Sequence, residues 1–373
     1  MLKPFCHSTF RHKLFTEERK RNNKQMVDLK KHLIETSANI REAFKKLNDV
    51  PKSLTLFVVD QNGLMRGAVT DGDIRRGFLR GLELSDPVEK FMSPSFHFLD
   101  DKEVAPARIR EIKEKGIKLL PVLDKEGKIR GIIDFKKVKT ILPVDAVLMA
   151  GGLGERLRPL TDKTPKPLLK VGDKPIIEHN LDHLRQFGIK NIYLTLRYLG
   201  HMIESHCGDG SQKEITIRYV YENEPLGTIG SVNLINDFRH ENILVMNADL
   251  FTNIDLEDFY QDFLDQQADM SIATVPYTVD VPYAVLNLEE ERVQGFREKP
   301  TYTYHSNAGI YLIKRDLLKI IPAQKRYNAT DFIQALIDSG KKVVRFPIIG
   351  YWIDIGKPED FQKVQEIAKH IRS

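Results

Sequence analysis

The stretch DAVLMAGGLGERLRPLTDKTPKPLLKVGDKP, residues 145–175, sets the organisation of the chain. Its apolar run AVLMA, 146–150, has the length and composition of a strand buried on both faces, and it breaks at once into Gly151, Gly152 and Gly154. Glycines directly after such a strand let backbone N–H groups approach a phosphate with no Cβ in the way. Arg156, Arg158, Lys163 and Lys166 follow within a few residues. Backbone donors followed by cations suit a polyphosphate. Taken alone, Gly-x-Gly serves as well for a turn before a solvated basic face.

The spacing excludes two familiar phosphate loops. A dinucleotide fingerprint needs a third glycine where the chain has Leu157, and no Gly-Lys-Ser/Thr follows to make a Walker loop. The run instead resembles the signature of sugar-1-phosphate nucleotidyltransferases, Gly-Gly-x-Gly-x-Arg-Leu-x-Pro-x-Thr followed by Pro-Lys-Pro. Gly151, Gly152, Gly154, Arg156, Leu157, Pro159 and Thr161 match the first part, and Pro165, Lys166 and Pro167 the second.

Downstream, strand and helix patterns alternate. Helices are expected over 176–187, 201–207 and 231–236, and strands over 191–196, 215–219 and 242–247. This implies an α/β domain over 144–373, a doubly wound and mostly parallel sheet that binds ligands beyond the carboxyl ends of its strands. The run NILVMNAD, 242–249, ends in Asp249, and YWIDIG, 351–356, carries a second terminal acid, Asp354. A lone aspartate after a strand is commonly a cap or turn former. Two of them can hold Mg²⁺ and bridge it to substrate phosphates.

The resemblance assigns further roles. The family's Asn-Gly-Asp and Trp-x-Asp-x-Gly motifs supply its metal-binding acids. Asn247-Ala248-Asp249 and Trp352-Ile353-Asp354-Ile355-Gly356 match them, with Ala248 replacing a glycine. Glu298-Lys299-Pro300 and Asn307-Ala308-Gly309 match segments whose Glu, Lys and Asn contact the sugar and its phosphate. Tyr283-Ala284-Val285 departs from Tyr-Gly-Val by one methyl, which leaves the sugar open. The nucleoside would lie on 222–230, ENEPLGTIG, where the resemblance implies contacts from Gly227 and Thr228. Glu222 or Glu224 could accept from the N1–H and amine of guanine, which uracil and thymine do not offer. GTP is favoured on that ground.

The implied reaction is attack of a sugar-1-phosphate oxygen on the α-phosphorus of a nucleoside triphosphate. Arg156, Lys166 and Asp249 are the expected catalytic set, with Mg²⁺ on Asp249 and Asp354. A second hypothesis is a nucleotide-sensing regulatory protein with an inactive transferase-like body. Its difficulty is that every charge of the expected site is present.

The first half holds an internal repeat. LFVVDQNGLMRGAVTDGDIRR, 56–76, aligns without gaps on LPVLDKEGKIRGIIDFKKVKT, 120–140. Each copy reads as two strands joined at Asp-x-x-Gly and followed by a helix, with another helix ahead of it, at 40–47 and 106–115. Neither could bury its strand faces alone, so the copies should pair. The repeat resembles a tandem CBS pair, an α+β domain over 27–141. Such pairs hold adenine nucleotides through residues matching Thr70 and Asp73 in the first copy. The second has Asp134 and Lys137 there, so one site at most is expected, and a purely structural or dimerising role is an equal reading. A CBS pair ahead of a transferase resembles guanylyltransferases that serve bacterial surface glycans.

Composition is that of a folded protein, with 41% hydrophobic and 29% charged residues. The formal charge of +5 is concentrated at the start, since residues 1–25 hold seven Lys/Arg against two Asp/Glu. The remainder is neutral, which argues against a nucleic-acid groove. Residues 1–26 read as a basic, disordered head without a signal-peptide core, and no run approaches ~20 apolar residues. Two cysteines, Cys6 and Cys207, suit a reducing compartment. A cytoplasmic homo-oligomer, without nucleic-acid or membrane partners, is expected.

Overall fold

The computed structural model describes residues 29–51, 53–100 and 106–370. The basic head, with Cys6, lies outside the described residues. The chain divides into two compact units between Ile141 and Leu142.

In the N-terminal unit the repeat becomes two three-stranded sheets of one topology, β1 (Leu33–Glu35), β2 (Thr55–Val59) and β3 (Met65–Thr70), then β4 (Leu99–Asp100), β5 (Leu119–Leu123) and β6 (Ile129–Asp134). The first pair in each is parallel and the second antiparallel, with helices Ile40–Asp49 and Pro106–Glu114 as crossovers. The shared Asp-x-x-Gly turns have one cause. Asp60 accepts the Asn62 and Leu64 N–H groups at 2.9 Å, and Asp124 accepts those of Glu126 and Lys128 at 3.0 and 2.9 Å. Each aspartate also pairs with the arginine six residues on, Arg66 or Arg130. Phe57 and Met65 of one copy cluster with Leu119, Leu123 and Ile132 of the other, so the copies bury each other's apolar faces.

The copies differ after the second strand. Helix Asp71–Leu79 follows β3, whereas only a turn follows β6. The expected second helix is therefore absent. Thr70 and Asp73 cap the first helix reciprocally. Asp134 and Lys137 at the equivalent positions cannot exchange those bonds, and Asp134 instead accepts the Lys136 N–H at 2.9 Å.

The C-terminal unit opens with β7 (Val144–Met149), then a short hairpin, β8 (Lys170–Val171) and β9 (Lys174–Pro175), and helix Ile176–Gln186. Next come β10 (Asn191–Leu196), helix Gly200–Cys207, β11 (Thr216–Tyr221), β12 (Asn242–Asn247), β13 (Leu250–Thr252) and helix Leu256–Asp265. β14 (Met270–Asp280), β15 (Val285–Glu289), β16 (Arg292–Arg297), β17 (Thr301–Lys314), helix Ala329–Asp338, β18 (Val343–Pro347), β19 (Trp352–Asp354) and helix Pro358–His370 complete it. The segment expected as a helix at 231–236 is a 3₁₀ turn, Gly230–Leu234.

Seven strands form one sheet in the order β11-β10-β7-β12-β17-β14-β18. All neighbours are parallel except β17, which runs against both β12 and β14. Ala146 and Leu148 face one core, with Leu194, Leu244 and Met246, while Val147 faces the other with Tyr193, Ile243 and Val245. Burial on both faces explains why these strands read as continuous apolar runs.

Asp145 follows the first residue of β7 and is fully buried. It accepts the Arg239 and His240 N–H groups at 2.5 and 3.0 Å and lies 2.8 Å from the His240 ring Nδ1. Burial pushes its carboxyl up, but these bonds and the imidazole outweigh burial and hold it below the usual value.

Candidate active site

Three neighbouring parallel strands end together, because Met149 is in register with both Thr195 and Asn247. The residues that follow, Gly151–Gly154, Arg197 and Ala248-Asp249, therefore share one sheet edge. Gly154 takes a left-handed φ of +66°, and a Cβ there would lie 2.9 Å from Thr161 Cγ2. Buried Thr161 donates its hydroxyl to the Gly154 carbonyl at 2.8 Å, which fixes the loop. At Gly152 a Cβ would meet nothing within 4 Å, so this backbone is open to a ligand. A 3₁₀ turn, Glu155–Leu157, follows, anchored by buried Leu157.

The two acids meet through a separate ribbon. β13 pairs antiparallel with β19, setting Leu250 opposite Asp354, and the Ile355 N–H donates to the Asp249 carbonyl at 3.3 Å. Lys166, only 8% exposed, reaches between them. Its ammonium binds Asp249 Oδ2 and lies 3.4 Å from Asp354 Oδ1. Asp249 Oδ1 is buried and meets the geometry of no hydrogen bond among the described residues. Burial pushes the Asp249 carboxyl up, Lys166 opposes this, and Asp354 adds to it. The Arg156 guanidinium lies over Gly356, where a Cβ would come within 3.2 Å of it.

Asn307 joins the same edge from β17. Its Oδ1 accepts the Gly309 N–H at 2.9 Å and its Nδ2 donates to the Tyr311 hydroxyl at 3.0 Å. Gly309, at φ +70°, packs on Asn247, whose amide leaves no room for a Cβ. Glu222 is half-buried against the glycine loop and accepts the Leu226 N–H at 3.2 Å.

The remaining expected site residues make other contacts. Thr228 accepts the Ala329 N–H at 2.8 Å, and Gly227, at φ +80°, packs on the Tyr327 carbonyl. Both brace the segment before helix Ala329–Asp338. Glu224 is exposed. Glu298 and Lys299 are exposed, with no hydrogen bond or ion pair to Lys166, Asp249 or Asp354 among the described residues. Thr70 and Asp73 form the capping box in the other unit, where Asp73 also pairs with Arg76 at 2.6 Å.

The sequence reading missed Asn180. It is 3% exposed on helix Ile176–Gln186 and donates to the Ala248 carbonyl at 3.1 Å, holding the turn that presents Asp249. A polar residue on the Ile176–Leu184 stripe of an amphipathic helix was its available signal. Trp352 acts similarly, donating from Nε1 to the Ala308 carbonyl at 2.9 Å.

The sequence profile described as "Nucleotidyl transferase" matches residues 145–370, more than half the chain and the whole of this site. The chain belongs to the nucleotidyl transferase family. Similar nucleotidyl transferases include a mannose-1-phosphate guanylyltransferase of Mycobacterium tuberculosis, 35% identical over 58% of this chain and 62% of its own length. The chain thus spans less than two thirds of that relative. A D-glycero-alpha-D-manno-heptose 1-phosphate guanylyltransferase of Aneurinibacillus thermoaerophilus is 30% identical over 61% of this chain and 99% of its own. Among solved structures, a Bacillus anthracis protein assigned as a glucose-1-phosphate thymidylyltransferase shares the fold. Its TM-score is 0.50 at 23% identity, over 61% of this chain and 95% of that one. No helix among the described residues is long and apolar enough to cross a membrane.

Proposed function

We propose that the chain is a Mg²⁺-dependent sugar-1-phosphate guanylyltransferase that releases pyrophosphate and a GDP-sugar. The observation that carries this reading is the meeting of Lys166, Asp249 and Asp354 beside the Gly151–Gly154 loop. A sugar 1-phosphate is already an anion, so no side chain need take a proton from it. Its oxygen bonds to the α-phosphorus as the bond to the β-phosphate oxygen breaks in line. Loop N–H groups, Arg156 and Lys166 hold the triphosphate and the charge that grows on pyrophosphate. Lys299, Glu298 and Asn307 receive the sugar phosphate. Asp249 and Asp354 would hold Mg²⁺. The buried Oδ1 of Asp249, without a hydrogen bond among the described residues and beside a second carboxylate, fits a hard cation that takes one or two protein acids and completes its shell with phosphate and water. When bound, the ion neutralises charge on the α-phosphoryl oxygens.

For the base, Glu222 is the favoured guanine acceptor, because it touches the glycine loop while Glu224 is exposed. Gly227 and Thr228 shape that wall. The guanylyltransferase names of the relatives support GTP. We propose glucosamine 1-phosphate as the sugar, in cytoplasmic synthesis of a surface-glycan precursor of the legionaminic acid type. Mannose and heptose 1-phosphates are the rivals that the relatives' names support.

Pyrophosphate release with Mg²⁺, measured for GTP, UTP, CTP and dTTP against a sugar-phosphate panel, tests the proposal. A preference for dTTP overturns the base assignment. Failure with every pair overturns the enzyme and leaves the nucleotide-sensing reading.

We also propose the N-terminal unit as a tandem CBS pair over 27–141. An adenine nucleotide at Thr70 and Asp73 would have to displace their capping bonds. A thermal shift with AMP or ATP that persists in Thr70→Ala/Asp73→Ala excludes that site.

A further inference from the structure

β14 and β17 run on past the main sheet as a two-stranded arm. Their ladder continues from Thr274 opposite Asn307 to Asp280 opposite Thr301, and the β15–β16 hairpin lies beyond it. Pairing fixes which side chains share a face. Along the stem, Tyr277 faces Tyr304 and Val279 faces Tyr302. Thr278, Thr303, Asp280 and Thr301 occupy the opposite side. In the hairpin, Leu286 faces Phe296 and Leu288 faces Val293, a register shift keeping Val293 on that side. Stem and hairpin are thus both amphipathic ribbons.

Their apolar sides are uncovered. Leu286, Leu288, Val293 and Phe296 are 53%, 61%, 57% and 67% exposed, and Tyr277 and Tyr304 are 60% and 59%. A two-stranded ribbon with one bare apolar face is marginal in water, and exposed patches of this kind mark contact surfaces. The ladder shifts register between Ile272 and Thr274 and then runs regularly to Asp280, so the arm continues the same two strands beyond the sheet.

We infer that this face docks on the same face of a second copy of the chain, arm against arm and antiparallel about a two-fold axis. The charge pattern favours that occupant. The hairpin's outer end carries Glu289, Glu290 and Glu291 against Arg292, and its inner end carries Arg297 and Lys299 around Glu298. An antiparallel pair sets the acidic end of each arm on the basic end of the other, as an isologous contact requires. If the transferase reading holds, the contact also orders the strand end that carries Glu298 and Lys299. The test below does not use activity, so its failure is distinguishable from failure of that reading.

Light scattering on the full chain over a concentration series is the test, with Leu286→Glu/Phe296→Glu as the variant. The wild type is expected at twice 42.9 kDa. The variant, at exposed positions, is expected at the single mass with an unchanged circular dichroism spectrum, its dimer dissociation constant raised on the order of a hundredfold or more. A second pair of variants probes direction. Glu290→Lys/Glu291→Lys should weaken the dimer a few-fold, and adding Arg297→Glu should restore it. A wild type of single mass at every concentration overturns the proposal. So does a Leu286→Glu/Phe296→Glu protein that stays dimeric, and an Arg297→Glu change that fails to rescue overturns the antiparallel arrangement.

Discussion

Leu250 and Asp354 face each other across the β13–β19 ladder, which sets Asp354 beside Asp249, the residue preceding Leu250. The chain's last strand thereby completes a site begun some two hundred residues earlier by the glycine loop. Lys166 ties the halves together by bonding to both acids.

Lys166→Met follows directly from that relationship. It leaves two carboxylates facing each other without their cation, one of them with a buried oxygen. Turnover is expected to fall at least a hundredfold, the range seen when one preorganised charge is removed from a transition state. The melting temperature should fall as well. Steady-state kinetics beside a thermal melt checks both, and unaltered kcat would remove Lys166 from the site.

Asn180→Ala removes the donor that holds the Ala248 carbonyl. Leaving this carbonyl unpaired is expected to cost about 1–3 kcal/mol. Because the Ala248 turn presents Asp249, kcat should drop more than KM changes. A loss of stability with kcat intact would make Asn180 structural only.

Gly154→Ala tests the loop. The added methyl needs a left-handed backbone and would lie 2.9 Å from Thr161. The loop should shift, raising KM for the nucleotide about tenfold while KM for the sugar phosphate stays near its wild-type value. An unchanged nucleotide KM would place the triphosphate elsewhere.

Asp145 gives a pH prediction. Its carboxyl is held below the ordinary 3.8, so its contribution to stability is present above that value and is lost as pH falls through the lower folded value. Melting temperature measured from pH 6 to pH 3 should decline more steeply for the wild type than for Asp145→Asn. That variant should be about 1–3 kcal/mol less stable at pH 7. Parallel curves would contradict the assignment.

The strands flanking the site were legible because burial on both faces leaves an unbroken apolar run, as at 242–247, where expected and observed limits coincide. The acids were legible because each ends such a run. The course of residues 275–306 was not. Alternation in LNLEEERVQGF announces an amphipathic hairpin, but period-two patterning does not say what its apolar face meets. Glu298 and Lys299 therefore carry the motif without revealing that they sit on an exposed arm. The Thr228 hydroxyl also braces a helix a hundred residues later, a contact that local sequence cannot show. The missing helix after β6 was readable in principle, since Asp134 and Lys137 lack the reciprocal cap of Thr70 and Asp73.

The proposed reaction is nucleotidyl transfer at Asp249. The most direct measurement is product mass after incubation with GTP, Mg²⁺ and glucosamine, mannose or heptose 1-phosphate, for wild type and Asp249→Asn. A GDP-sugar and an equal amount of pyrophosphate are expected from the wild type with one of these sugars. No product is expected from the variant, which should retain its circular dichroism spectrum. Absence of product from the wild type with every sugar and nucleotide, or equal product from Asp249→Asn, would contradict it.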